Sequence, residues 1–359
     1  MLAWQEVDSP AIEATIPALR LREIRRDVDK EHKVRYRIYR SEQPIGSLAG
    51  LRPIAEVPPL SCWNIDYYGD PRPADPALRY VIEEGKGPVP PGTGLWAHNP
   101  AQAGRAYYAV TLAIDGRENT ALGSGNVLAA PVAETVGQGV PVLQRIEKPK
   151  EWQYVRNPTL YYYVRWESPP NCAVQGKPID YVVGIPPKPA KPAPVGIHLH
   201  CWGGSLNGGY GWWYGGDNGH LLVASNQIPY DWWTGYHEKL WAGPAKEAAW
   251  KAGVVRPYSQ VRMLSFLDWV ATRWDVGLKA THVAGSSMGG SGAPMFAIRY
   301  PERIAWAVAW VGVHIPAKSP TFKGSYANSY GPPEWGVKFE SISRVVFVVF
   351  QQEVIVLRG

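Results

Sequence analysis

The stretch His282-Val283-Ala284-Gly285-Ser286-Ser287-Met288-Gly289-Gly290-Ser291-Gly292-Ala293 limits the possible folds of this chain more than any other. Three residues of strand texture run into Gly285-Ser286-Ser287-Met288-Gly289, a G-x-S-x-G pattern, and a segment of helical texture continues to about Ala297. A strand that turns this tightly into a helix forces its central serine into strained backbone geometry, and only small neighbours avoid clashing with the adjoining elements. The serine oxygen then stands clear of the sheet, near the positive end of the helix. The five residues alone arise by chance in glycine-rich chains. With a strand before them, a helix after them and an apolar strand over residues 304–313, they predict a nucleophilic Ser287.

The surrounding sequence supplies the sheet that such a turn requires. Residues 160–166, 179–183, 195–200 and 221–224 read as strands, and residues 258–274 as a helix, with Val261, Leu264, Leu267, Val270 and Ala271 at helical spacing. Strands alternating with helices imply an α/β fold: a mostly parallel sheet with helices on both faces, over residues 138–359.

The first third reads as β. Residues 34–39 alternate apolar with basic side chains, and residues 106–112 form a second apolar strand ending at the turn Asp115-Gly116. The proline-rich stretch 53–100 reads as loops. Across the chain, 37 Gly and 34 Pro argue for many turns and against a helical bundle. The net charge of +6 draws on a basic excess between Arg20 and Arg40 that is mixed with Asp and Glu. That mixture suits solvated strand faces and gives no stripe for nucleic acid. No run of about 18 apolar residues suggests a membrane helix. Residues 1–10 lack the basic-then-apolar pattern of a secretory signal. Cys62, Cys172 and Cys201 show neither metal-ligand spacing nor a disulfide framework.

Two resemblances extend this reading. Residues 36–40 and 107–111, with Glu118-Asn119 leading to Ser124-Gly125-Asn126, resemble a fibronectin type III module over residues 15–137, which implies a β-sandwich accessory unit. The string from Gly285 to Ala293, continued by Arg299-Tyr300-Pro301-Glu302-Arg303, resembles α/β-hydrolases of the esterase type: feruloyl esterases, polyhydroxybutyrate depolymerases and S-formylglutathione hydrolases. That resemblance implies acyl-serine catalysis with no metal or organic cofactor. His200-Cys201-Trp202-Gly203-Gly204 matches the position of the family's His-Gly-Gly-Gly oxyanion loop, with Cys and Trp in place of two glycines. The oxyanion donors are then expected to be the N–H of Met288 with that of Trp202 or Gly203. His200 is expected to brace the loop, not to act as base.

The rest of a triad is harder to find. In this fold the order is serine, acid, histidine. None of the residues after Ser287 is Asp, and the only His among them is His314, just past the strand 304–313. Glu353, after the apolar run 345–350, is the acid candidate, and His314 the base candidate. The ending has the texture of a sequence cut short or shifted in frame, so weak activity is expected of the chain as it stands.

There are 17 Trp, and Trp212, Trp213, Tyr214, Trp232 and Trp233 lie in glycine-rich loop sequence, where aromatic residues are expected to contact substrate. The expectation is a serine hydrolase of carboxylic esters, acting on a bulky or polymeric substrate that the accessory unit suggests is extracellular. A peptidase or acyltransferase on the same fold and a non-catalytic binding protein are the alternatives.

Overall fold

The structure, a computed structural model, describes residues 1–148, 158–207, 218–314 and 319–340. They fall into two units, Met1–Val142 with Gln175–Lys177, and Leu143–Val174 with Pro178–Gly359.

The first unit contains β1 (Leu2–Gln5), α1 (Ala18–Glu31), β2 (Val34–Ser41), β3 (Ala55–Val57), β4 (Trp63–Asn64), β5 (Leu78–Arg79), β6 (Thr93–Trp96), β7 (Gly104–Ile114), β8 (Arg117–Asn119) and β9 (Val132–Glu134). An antiparallel sheet runs β3-β2-β7-β8, with β9 also on β7. The two segments read as strands are direct neighbours, Tyr36 opposite Leu112 and Arg40 opposite Tyr108. Val34, Tyr36 and Ile38 project to one face, as a period of two requires, and meet Val57, Trp96 and Tyr108 there. Leu2 and Trp4 of the β1–β6 ladder pack on the same cluster.

Two details differ from the sequence reading. The basic segment after Arg20 does not begin as a strand face: Ala18–Glu31 is an α-helix. Its buried residues, Ala18 and Leu21, are three apart, and Leu, Arg and Glu are good helix formers. Arg22 also anchors it, donating to the carbonyls of Ile65 and Gly69, each at 3.0 Å, and of Tyr68. The stretch 53–100 is not all loop, because β3 to β6 lie within it.

The second unit contains β10 (Val142–Glu147), β11 (Thr159–Glu167), β12 (Lys177–Ile185), β13 (Val195–Leu199), β14 (Leu221–Ser225), β15 (Tyr236–His237), α2 (Glu247–Lys251), β16 (Val254–Arg256), α3 (Tyr258–Arg273), β17 (His282–Ser286), α4 (Met288–Arg299), β18 (Trp306–Trp310), α5 (Lys323–Tyr330) and β19 (Lys338–Phe339). Seven strands form one sheet in the order β10-β11-β12-β14-β13-β17-β18. β14, β13, β17 and β18 run parallel, and β12 pairs antiparallel with β14. This is a mixed α/β sheet. β13 and β14 are buried at every position, which is why they are mostly apolar and do not alternate.

Met263, Phe266, Leu267 and Val270 of α3 and Ala293 and Phe296 of α4 share the sheet's core. Tyr181 stacks on Phe266 at 4.0 Å. Beside that stack, Arg165 and Glu167 form a fully buried ion pair at 2.6 Å. Asn171 and the Tyr181 hydroxyl also donate to Glu167, and Arg165 reaches the Arg262 carbonyl at 3.1 Å. Removing one member would strand the other charge in the core, at about 3–5 kcal/mol. Among the described residues no helix is long and apolar enough to cross a membrane, and no group of three or more His, Cys, Asp or Glu could hold a metal ion.

His198, His200 and His282 are buried, and burial lowers their pKa values to about 3, about 4 and about 4. Each binds its proton less tightly folded than unfolded, so stability is lost as pH falls from about 6.5 toward those values. Asp231 acts in the opposite direction. Burial raises its pKa to about 6, so it favours the folded state when protonated and loses stability as pH rises through that value. Three imidazoles outweigh one carboxylate, at about 1.4 kcal/mol per pKa unit. The urea midpoint followed by tryptophan fluorescence should therefore fall between pH 6.5 and 4, and a flat midpoint would contradict the buried neutral histidines.

Candidate active site

Ser287 sits at the junction of β17 and α4 with φ 54° and ψ −115°, a left-handed-side backbone that costs a non-glycine residue about 1–3 kcal/mol. Neighbouring bonds hold it there. Its N–H donates to the Trp310 carbonyl at 2.9 Å, and its own carbonyl accepts from the Ser291 N–H at 2.9 Å and the Ser291 hydroxyl at 3.1 Å. Ser291 Oγ in turn accepts from the Val313 N–H at 2.8 Å, tying the turn to the chain that leaves β18.

Glycines allow the close approach. A Cβ on Gly289 would lie 2.0 Å from the Leu199 carbonyl oxygen, and one on Gly290 would lie 2.2 Å from that of Trp310. The first turn of α4 is therefore pressed against the ends of β13 and β18, the two strands flanking β17. In register, Leu199 faces Gly285 and Trp310 faces Ser286. The loop after β13 and the segment after β18 thus leave the same sheet edge as Ser287, one on each side.

The β13 side carries His200 to Gly204. His200 Nδ1 lies 2.8 Å from the Cys201 carbonyl, and Nε2 accepts from the Gln227 N–H at 3.0 Å. Both ring nitrogens are engaged within the fold, so His200 braces the loop as a neutral imidazole. The Gly204 N–H closes a turn on the Cys201 carbonyl at 3.0 Å, with Gly203 at φ 73°. Among the described residues, no backbone carbonyl pairs with the N–H of Met288, Trp202 or Gly203. Met288 opens α4, where N–H groups have no intrahelical acceptor, beside the helix's positive end. The Trp202 side chain is exposed, 4.9 Å from the Tyr230 ring.

The β18 side carries His314, half-buried, its pKa lowered by burial. It lines a cavity with Ser291, Met295, Arg299 and Tyr326. Glu353, and the aromatic residues Trp212, Trp213 and Tyr214, lie outside the described residues.

Trp232 and Trp233, expected to contact substrate, are buried in the fold. They are only 1% and 0% exposed. Trp232 stacks on Tyr326 at 4.3 Å, and Trp233 donates from its ring N–H to the His200 carbonyl at 3.0 Å. Their loop-like sequence belongs to a backbone with positive φ at both residues, fixed from beneath by Asp231, whose carboxylate accepts the Trp233 N–H at 3.0 Å and the Ser259 hydroxyl. Asp231 and Ser291 were not evident in the sequence. Asp231 carries no sequence signal, whereas Ser291 is four residues beyond Ser287 and shares its helix face.

No protein-family model matches this sequence, and no curated protein matches it. Solved structures do. An S-formylglutathione hydrolase from Agrobacterium tumefaciens is 14% identical with a TM-score of 0.36, covering 53% of this chain and 68% of that one. The fluorophosphonate-binding serine hydrolase FphF from Staphylococcus aureus is 15% identical with a TM-score of 0.36, covering 48% and 66%. A ferulic acid esterase is 19% identical with a TM-score of 0.31, covering 48% and 69%. The chain thus spans about two-thirds of the length of each of these three proteins.

Two substitutions test the turn itself. Gly289→Ala gains about 1 kcal/mol of helix propensity, but its methyl meets a strand carbonyl that cannot step aside. Overpacking of about 1–3 kcal/mol should win, giving net destabilisation. Ser287→Gly should raise stability by about 1 kcal/mol, because glycine accepts the positive φ. A loss of stability in Ser287→Gly would show that the serine is not held under strain.

Proposed function

We propose that the chain is a serine hydrolase of carboxylic esters with Ser287 as nucleophile. The observation that carries this reading is the strained Ser287 backbone at a strand-to-helix turn, held by neighbours too close for any side chain at Gly289 or Gly290. Such strain persists where surrounding structure over-determines it, and it is concentrated at functional sites.

In this reading Ser287 Oγ attacks the ester carbonyl. The developing oxyanion takes hydrogen bonds from the N–H of Met288 and from that of Trp202 or Gly203, each worth about 3 kcal/mol in the transition state. His314, on the sheet edge that also carries Ser287, takes the serine proton and passes it to the departing alcohol. Water then repeats the sequence on the acyl-enzyme. Glu353 is the sequence's candidate for the acid and lies outside the described residues. Residues 15–137 are assigned as a fibronectin-type accessory module, an assignment supported by the antiparallel pairing of its two signature segments, and a bulky or polymeric ester as substrate follows from it by analogy.

A fluorophosphonate probe should label Ser287, and Ser287→Ala should abolish the label; label persisting in that variant sinks the assignment. Turnover of p-nitrophenyl butyrate should fall about 10²-fold or more in His314→Ala. Because burial lowers the His314 pKa, the imidazole stays neutral, and able to accept a proton, below the ordinary value of about 6.5. The rising limb of kcat/KM should therefore lie below pH 6.5. A limb above it would exclude His314 as the base.

A further inference from the structure

Ser291, Met295 and Arg299 recur every four residues along α4 and so share one face of the helix. All three line a single cavity of about 300 Å³. Its remaining walls are largely apolar, among them Val313, Tyr326, Tyr330, Pro333 and Val337, and they also include His314 and the exposed Lys323. At one end Ser291 bonds directly to the Ser287 carbonyl. Eight residues on, about 12 Å along the axis, Arg299 marks the other. The cavity is therefore an apolar trough that starts one helical turn from the candidate nucleophile and ends at a cation.

That cation is unusually placed. The Arg299 guanidinium donates to the Thr234 carbonyl at 3.1 Å and to Gln260 Oε1 at 2.6 Å, both neutral acceptors. Among the described residues, no carboxylate lies within ion-pair distance of it. Asp231 and Glu340 act on it only from further away. Asp231 is committed to Ser259 and the Trp233 N–H, and Glu340 to Arg256 at 2.9 Å. Bracing the last turn of α4 would account for the two bonds Arg299 makes. It would not account for a trough whose far wall is a desolvated guanidinium. A partly buried cation without a counter-charge is costly, and a guanidinium fork matches a carboxylate in charge and geometry.

We propose that this trough is the acyl subsite of the Ser287 site and selects acyl groups with an apolar body and a terminal carboxylate, held by Arg299. The proposal rests on the reading of Ser287 as the acylated nucleophile. In the reaction, Ser287 Oγ bonds to the acyl carbon, the ester C–O bond breaks, and the alcohol leaves with the serine proton. The distal carboxylate takes no part. Water then releases the dicarboxylate and restores the serine.

The test compares mono-p-nitrophenyl dodecanedioate, whose chain is long enough to reach from Ser287 to Arg299, with its neutral counterpart, methyl p-nitrophenyl dodecanedioate, on the 359-residue chain. The monoacid should show a kcat/KM at least tenfold higher. That ratio should collapse to about one in Arg299→Gln and be partly kept in Arg299→Lys. A second measurement does not depend on turnover: in Ser287→Ala, monomethyl dodecanedioate should bind at least tenfold tighter than dimethyl dodecanedioate by calorimetry, and adding Arg299→Gln should remove the difference. A kinetic or binding ratio near one in the presence of an intact Arg299 overturns the proposal, while fluorophosphonate labelling at Ser287 would leave the nucleophile reading standing. Absence of that label overturns the nucleophile reading and the acyl assignment with it, whatever Arg299 binds.

Discussion

The first turn of α4 lies so close to the strand ends on either side of β17 that its backbone nearly touches both, through Gly289 against Leu199 and Gly290 against Trp310. This one approach fixes several things together. It sets the helix's unpaired N–H groups beside the loop that leaves β13. It holds Ser287 in a backbone conformation that it would not adopt alone, and it brings the chain after β18 within reach of Ser291. An alanine at either glycine would push the helix off the sheet edge and separate these elements by more than hydrogen bonds tolerate.

The turn is rigid because both flanks are braced from behind. On the β13 side, His200 has both ring nitrogens occupied, and its carbonyl accepts the Trp233 ring N–H. On the β18 side, the Tyr326 hydroxyl donates to the Val313 carbonyl at 3.0 Å, and Trp232 stacks on the Tyr326 ring. Trp233 thus stabilises the β13 flank, while Trp232 bridges the two, its ring also 6.0 Å from that of Trp202. Donors placed in advance lower a barrier because they need no reorganisation during reaction. Under the proposed reading of Trp202 or Gly203 as a donor, a loop held this firmly meets that condition.

The sheet and the strand-to-helix turn at Ser287 were legible in the sequence because local pattern and tertiary demand agree there. Residues 195–199 show no apolar/polar alternation of burial because β13 is buried on both faces, and the glycines around Ser287 are required by sterics that any such turn imposes. The failures occur where a tertiary partner decides. Helix α1 is mostly charged, and what marks it as a helix is the spacing of Ala18 and Leu21 together with the carbonyls that receive Arg22. Trp232 and Trp233 have the loop composition of a ligand-facing segment, but composition does not say which side of a loop is covered. Arg299 was read only as part of a family-like string. Its isolation from carboxylates is a property of the packed state, set by elements far from it in sequence.

Asp231 shows how a costly group can persist. Burial works against its charge and raises its pKa, yet removing the carboxylate would leave the Trp233 N–H and the Ser259 hydroxyl without an acceptor in the core. Each such orphan costs about 1–3 kcal/mol. Positive φ at two tryptophans adds strain of about 1–2 kcal/mol per residue, which nothing local repays. The turn therefore depends on Asp231, and both flanks of Ser287 depend on the turn. Its backbone carbonyl extends the same dependence to the trough, because it accepts the hydroxyl of Tyr330, one of the trough's walls, at 2.9 Å. One buried carboxylate thus joins the loop that leaves β13 and the cavity wall into a single structural unit.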